Sequence, residues 1–98
     1  MGAFANYRPP YKYQIDYTQN KPVDVNVTFN TEGKYKPESF VFITPDQERH
    51  IYKIQSILWQ RSYDFYDTFC CVYTNYGKQH EILLRFHIQQ CLWTIGIV

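Results

Sequence analysis

The chain has 98 residues, the size of one domain, and its formal net charge of +1 comes from 10 basic and 9 acidic residues. So balanced a charge gives no long-range field that would attract nucleic acid or an anionic membrane, and a partner must be bound through local patches. Aromatic residues make up 19% of the chain, with 10 Tyr and 7 Phe, which exceeds the needs of one small core. The surplus predicts aromatic rings at the surface.

The first residues and the cysteines indicate a reducing compartment. Met1-Gly2-Ala3-Phe4 lacks the basic and long apolar regions of a secretory signal, and no apolar run reaches the ~18 residues of a membrane span. The 3 cysteines are an odd number and include the adjacent pair Cys70 and Cys71, which does not fit a disulfide framework. We therefore expect a cytoplasmic protein that does not bind a membrane.

Residues 1–22 form a leader that differs from the rest of the chain, because prolines interrupt it near both ends. Between these breaks, aromatic or aliphatic residues alternate with polar ones from Tyr11 to Thr18. This period of two predicts a short edge strand within the leader. We predict that residues 23–98 form a single β domain.

The domain opens with the clearest strand, in which Val23, Val25, Val27 and Phe29 alternate with polar residues. A turn follows around Gly33, which is free to take a positive φ angle. The segment 38–43 is apolar at four consecutive positions (40–43) and predicts a second strand that is covered on both faces. The two strands are expected to form a hairpin.

The segment Thr44–Arg61 fits two structures. Thr44 followed by Pro45 and Gln47 resembles the start of a helix, with an N-cap and a proline in the first turn. However, residues 51–59 are rich in β-branched and aromatic side chains, and residues 44–48 serve equally well as a hairpin loop. We favour two strands over a helix.

The remaining sequence predicts a meander. A polar aromatic loop over residues 60–67 precedes strands over 68–74, 81–87 and 91–98, with a glycine turn around Gly77. The regular spacing predicts an all-β fold, a small antiparallel barrel or sandwich of about six strands. A β-dominated α+β fold with a single helix near Pro45–Arg61 is the alternative.

Several segments also show a family resemblance. Val23-Asp24-Val25-Asn26-Val27, Ser39-Phe40-Val41-Phe42 and Tyr52-Lys53-Ile54-Gln55-Ser56-Ile57, together with Trp93, resemble a family of small bacterial β-domain proteins that has no known activity. The resemblance covers about residues 23–95 and rests on turn and core positions. It implies strands in the segment Thr44–Arg61 and implies no particular chemistry.

No residue pattern indicates catalysis, a metal or a cofactor. The soft metal ligands are His50, His80, His87, Cys70, Cys71 and Cys91. None of them stands in a Cys-x-x-Cys or His-x-x-x-His spacing, and in strands His80 and His87 would face opposite sides. The chain has neither a Gly-x-Ser-x-Gly elbow nor a glycine-rich phosphate loop. We therefore predict a protein that is not an enzyme.

What remains is aromatic residues interleaved with basic ones. The candidate surface comprises Tyr7, Arg8, Tyr11 and Tyr13 in the leader, and Trp59, Arg61, Tyr63, Phe65 and Tyr66 around the central loop. Tyr, Trp and Arg are typical hot-spot residues, so the surface predicts a homo-oligomer or a protein or peptide partner. Stacking of single-stranded nucleic acid is the alternative, which the few basic residues disfavour. The same rings would also serve simply to cover the core.

Overall fold

Regular structure in this protein is entirely β-strand over the residues that can be described. The structure is a computed structural model and describes residues 13–96. The strands are β1 (Asn20–Pro22), β2 (Asp24–Phe29), β3 (Tyr35–Ile43), β4 (Arg49–Lys53), β5 (Ser56–Ser62), β6 (Tyr66–Asn75), β7 (Lys78–His87) and β8 (Leu92–Gly96). This confirms the all-β prediction. The segment Thr44–Arg61 contains β4 and most of β5, so the helix alternative was wrong.

The strands form two open antiparallel sheets, one of five strands in the order β1-β8-β7-β6-β5 and one of three in the order β2-β3-β4. Together they make a small sandwich rather than a closed barrel. The chain changes sheets at Val23, whose N donates to Trp93 O at 3.0 Å, and at Gln55, whose N donates to Val72 O at 2.8 Å. Two extended runs, β1 with β2 and β4 with β5, therefore each contribute one strand to each sheet. This division explains why there are eight strands where about six were predicted.

The core lies between the sheets and is built from alternate residues of each strand. Its buried members are Phe40, Ile54, Phe69, Cys71, Leu84 and Trp93. The Phe69 ring lies 5.7 Å from the Trp93 ring and 5.6 Å from the Tyr35 ring. The Tyr35 hydroxyl donates a hydrogen bond to the Asp67 carboxylate. The pKa of Tyr35 is raised mainly by burial and further by this carboxylate. The side chains that join the sheets are thus mostly aromatic.

The hairpin loops follow the predicted turn chemistry. Gly33 and Gly77 have φ angles of 81° and 75°, a region that favours glycine. Between β3 and β4, Thr44 N donates to Glu48 O at 3.0 Å and Thr44 Oγ1 accepts a bond from Glu48 N at 3.2 Å. Residues 44–48 are therefore a hairpin loop, as favoured from the sequence.

The predicted leader strand over residues 11–18 is wrong for the part that can be assessed. Residues 13–16 have no regular structure, residues 17–19 form a turn, and Tyr11 and Lys12 lie outside the described residues. The physical reason is local, since Asp16 Oδ1 accepts bonds from Thr18 N at 3.0 Å and Thr18 Oγ1 at 2.5 Å. The strand comes later, as β1, which pairs with β8.

The central loop is shorter than predicted. Instead of residues 60–67, only residues 63–65 separate β5 from β6. Tyr63 N donates to Tyr66 O at 2.8 Å, so the β5–β6 ladder continues to the turn itself. Polar aromatic residues at an exposed strand end resemble a loop in sequence, which accounts for the error. In residues 13–96 no helix has the length and apolar character needed to cross a membrane.

One buried hydroxyl gives a stability prediction. Thr68 is only 3% exposed, and within residues 13–96 its Oγ1 has no hydrogen-bond partner. Replacing Thr68 with Val keeps the shape and removes an unpaired polar atom, so we expect the free energy of unfolding to rise by about 1 kcal/mol. Urea denaturation measures this. The matched control is Thr94→Val: Thr94 is equally buried but hydrogen-bonded, so its replacement should destabilise by about 1–3 kcal/mol. Equal effects would contradict the prediction.

Candidate interaction surface

The five-stranded sheet turns one face toward the core and the other toward residues 13–19, and we call the latter the outer face. Cross-strand partners point to the same side of a sheet, so the register defines its rows. One row of the outer face comprises Arg61, Thr68, Arg85 and Thr94, and the next row comprises Trp59, Cys70, Leu83 and Gly96. On the other side of the first row, Tyr66 is paired with His87. Arginine and aromatic side chains from three strands therefore share this face.

Tyr13 binds to the outer face by stacking rather than by a strand ladder. Its ring lies 4.9 Å from the Phe65 ring at an interplanar angle of 11°, and 6.1 Å from the Tyr66 ring. Gln90 Nε2 donates to Tyr13 O at 2.9 Å. Tyr63 extends the group, since its ring is 4.9 Å from the Tyr66 ring. We call Tyr13, Tyr63, Phe65 and Tyr66 the aromatic cluster.

A chain of hydrogen bonds runs across the outer face beneath Tyr13. The Tyr13 hydroxyl lies 3.2 Å from His87 Nδ1, and His87 Nε2 lies 2.8 Å from Thr94 Oγ1. Asn20 Oδ1 accepts bonds from Thr94 Oγ1 at 3.2 Å and from Arg85 Nη1 at 2.8 Å. Because the Thr94 hydroxyl donates to Asn20, it must accept from His87 Nε2–H, which leaves Nδ1 as the acceptor for Tyr13. The network thus selects one neutral tautomer of His87.

His87 is fully buried, with 0% exposure. Burial lowers the pKa of its imidazole, and the charge of Arg85 lowers it further. The Arg85 guanidinium lies over Gly96, where any side chain would meet it, and over the Tyr66 ring at 6.0 Å. A neutral imidazole is therefore part of what holds residues 13–20 on the sheet.

Trp59 and Arg61 lie on β5, at the edge of the outer face. The Arg61 guanidinium carbon is 5.9 Å from the centre of the Trp59 ring, a cation–π distance. Trp59 is 45% exposed and Tyr63 is 44% exposed. Leu58, also on β5, is 54% exposed at a bulge in the β5–β6 ladder. This edge presents rings to solvent, in contrast to the covered Phe65 and Tyr66.

The structure therefore brings together most of the predicted surface that it describes. Tyr13, Tyr63, Phe65 and Tyr66 form the aromatic cluster, while Trp59 and Arg61 pair with each other farther along the same face. The predicted residues Tyr7, Arg8 and Tyr11 lie outside the described residues. The surface is thus one sheet face with two parts, the aromatic cluster, in which Phe65 and Tyr66 are half-buried, and the exposed pair of Trp59 and Arg61 on β5.

Sequence reasoning missed the polar chain beneath the cluster. His87 was considered only as a metal ligand, and Asn20 was not singled out. The available signal was the position of polar residues within apolar strands, with His87 between Phe86 and Ile88. Buried polar residues are normally hydrogen-bonded, but the sequence does not show to what.

The environments of the adjacent Cys70 and Cys71 do not favour nucleophilic chemistry. Burial raises the pKa of the Cys71 thiol to about 12. The pKa of the Cys70 thiol is raised mainly by burial and further by the negative charge of Glu81. A nucleophilic cysteine requires the opposite shift, because the thiolate is the reactive form. Over residues 13–96 no group of three or more His, Cys, Asp and Glu side chains is arranged to hold a metal ion.

Comparisons of the chain with protein-family models, with curated proteins and with solved structures found no match. The resemblance to small bacterial β-domain proteins therefore stays a prediction from the sequence.

Proposed function

We propose that this protein is a non-enzymatic interaction module that binds a protein or peptide partner through the exposed side chains of β5. Three neighbouring side chains carry this proposal: Leu58 and Trp59 on β5 and Tyr63 just after it are each exposed by 44% or more, whereas the adjacent Phe65 and Tyr66 are half-buried. Trp and Tyr beside an arginine are the residue types that contribute most to protein interfaces. Exposed apolar groups at one edge favour binding over a purely structural role.

The two edges of the five-stranded sheet differ in a way that supports this proposal. β1 is 3 residues long and carries Lys21 and Pro22, which are features that protect an edge from pairing. β5 is 7 residues long and contains neither lysine nor proline. The longer β5 edge, which lacks lysine and proline and lies next to exposed rings, favours the docking of another chain there.

A peptide selection tests the proposed function. Peptides from a random library would be selected on the immobilised wild-type protein, and their affinities measured for the wild type and Trp59→Ala. Because a tryptophan hot spot contributes about 2 kcal/mol or more, we expect Trp59→Ala to weaken binding about 30-fold. The control Phe29→Ala removes an exposed ring of the other sheet and should change little. Equal binding to Trp59→Ala and wild type, or no selected peptide together with a monomer at tens of micromolar, would sink the proposal.

Single-stranded nucleic acid is a second candidate, favoured by the placement of Arg61 and Arg85 beside rings on one sheet face. Phosphate contacts weaken as salt rises, so a salt titration of oligonucleotide binding distinguishes this candidate from peptide binding. The primary proposal expects no oligonucleotide binding at low salt. Salt-sensitive binding that Arg61→Gln weakens would favour the second candidate instead.

A further inference from the structure

The two sheets separate along a groove between β3 and β5. β3 pairs with β4 from Ile43 back to Ser39, and the last bond joins Ile54 N to Glu38 O at 2.9 Å. Beyond that bond, β3 continues back to Tyr35, while β5 continues forward to Ser62 and pairs with β6. Among residues 13–96, each of these two stretches therefore has one edge without a neighbouring strand.

Two adjoining hollows occupy the space between these edges. One has a volume of about 290 Å³ and lies between residues 36–38 and 54–57. The other has a volume of about 480 Å³, shares Lys36 and Ile57 with the first, and reaches Tyr35 and Gln60. The groove therefore follows β5 from Ser56 to Gln60, with β3 on its other side.

The ladder on the other side of β5 shows which backbone groups face this groove. Tyr63 N bonds to Tyr66 O, so the backbone groups of Tyr63, and by alternation those of Arg61, point toward β6. The N–H and C=O groups of Gln60 and Ser62 therefore point into the groove.

We propose that this groove binds an extended peptide segment of a partner protein as an added strand, antiparallel to β5. In that ladder Gln60 and Ser62 exchange main-chain bonds with the partner, as in strand addition to other sheet edges. Trp59 and Arg61 then occupy positions where cross-strand side chains come closest. The inference rests on the proposed function and specifies how the partner is bound.

Charge defines the partner's chemistry. The lysines at the groove, Lys34 and Lys36, are paired with Glu32 at 3.9 Å and Glu38 at 3.6 Å. Within residues 13–96, Arg61 has no carboxylate in ion-pair distance. The preferred segment therefore carries an acidic residue opposite Arg61 and an apolar residue two positions later, opposite Trp59. A second copy of β5 fits poorly, because its sequence Ser-Ile-Leu-Trp-Gln-Arg-Ser contains no carboxylate.

The probe is a synthetic peptide as long as β5, with the order Glu-Thr-Phe at its centre and Thr at the flanks. We expect it to bind more tightly than the same peptide with Lys in place of Glu. We also expect its binding to slow hydrogen exchange at the Gln60 and Ser62 amides. Arg61→Gln should remove the preference for the Glu peptide over the Lys peptide. If Arg61 had a merely structural role, this preference would stay unchanged in the variant.

A matched pair of variants tests the added strand itself. Gln60→Pro removes an N–H that the β5–β6 ladder does not use, and Gln60→Ala removes only the side chain. We expect Gln60→Pro to weaken binding about tenfold or more and Gln60→Ala to have less than a threefold effect. Circular dichroism and thermal unfolding establish that both variants are folded.

Several results overturn this inference. If Gln60→Pro and Gln60→Ala bind the probe equally well while Trp59→Ala loses binding, strand addition is rejected and the proposed function stands. No binding of the probe at millimolar concentration rejects the peptide chemistry. Slow exchange at Gln60 and Ser62 in a dimer without peptide shows that a second copy occupies the edge instead.

Discussion

Replacing Phe69 with Ala is expected to lower the free energy of unfolding by about 3–5 kcal/mol, the range for large-to-small changes at a well-packed core position. Phe69 has 0% exposure, and its ring contacts those of Tyr35 and Trp93 from opposite sheets. The variant loses apolar burial and leaves a cavity where the two sheets meet. Since domains of this size are stable by about 5–15 kcal/mol, the change removes a large part of the total.

The measurement is urea denaturation followed by tryptophan fluorescence, with Phe29→Ala as control. Phe29 is 69% exposed, so its replacement should cost about 1 kcal/mol or less although it borders Tyr35. A loss of similar size in both variants would show that the sheets do not pack around Phe69 as described.

Replacing His87 with Ala is expected to cost about 2–4 kcal/mol, because it leaves a cavity and two unpaired partners, Thr94 and Tyr13. The control is His80→Ala in the same strand, since His80 is exposed and stacks only on Tyr73. Thermal or urea unfolding at neutral pH compares the two variants. Near-equal stabilities would contradict the buried network.

The same imidazole predicts how stability depends on pH. The folded state lowers the pKa of His87, so below the ordinary histidine pKa of about 6.5 the unfolded chain binds more protons than the folded one. Stability should therefore fall as the pH drops below about 6.5 and level off above it. In the described part of the chain, the titratable groups facing His87 are Arg85, Tyr13 and Tyr66, and none of these three supplies a negative charge that would stabilise the imidazolium.

Measuring unfolding free energies between about pH 4.5 and 8 tests this dependence. The wild type and His80→Ala should show the same decline in acid, and His87→Ala should lose most of it. The lowered pKa of Asp16, held by its bonds to Thr18, acts at lower pH and does not obscure this range. A decline that persists in His87→Ala would assign it to other groups.

Local patterns in the sequence predicted much of the fold because the decisive forces were local. The alternation from Val23 to Phe29 became β2, and the turn residues around Gly33 and Gly77 marked two hairpins. The β-branched residues of 51–57 likewise indicated strands instead of a helix. Where alternation was used alone, over residues 11–18, it failed, because Tyr13 and Ile15 are covered without joining a ladder.

The candidate surface was predictable in composition but not in arrangement. Trp59, Arg61 and Tyr63 were candidates for an interaction surface because of their residue types, and the structure shows all three exposed. The groove beside them depends on the point at which β3 and β5 diverge. That point is set by the packing of the two sheets and cannot be read from the sequence of either strand alone. His87 was missed for the same reason, since its two hydrogen-bond partners, Tyr13 and Thr94, lie in distant segments of the chain.

The pairing of β1 with β8 has a consequence for synthesis of the chain. Asn20 and Thr94 bond to each other across 74 positions, so a chain made from its amino terminus exposes β1 long before its partner strand exists. The β6–β7 hairpin needs only a short turn and can form first. Closure by β8 then comes late on the ribosome, and shortened translation products that end before Leu92 should leave β1 open to proteolysis.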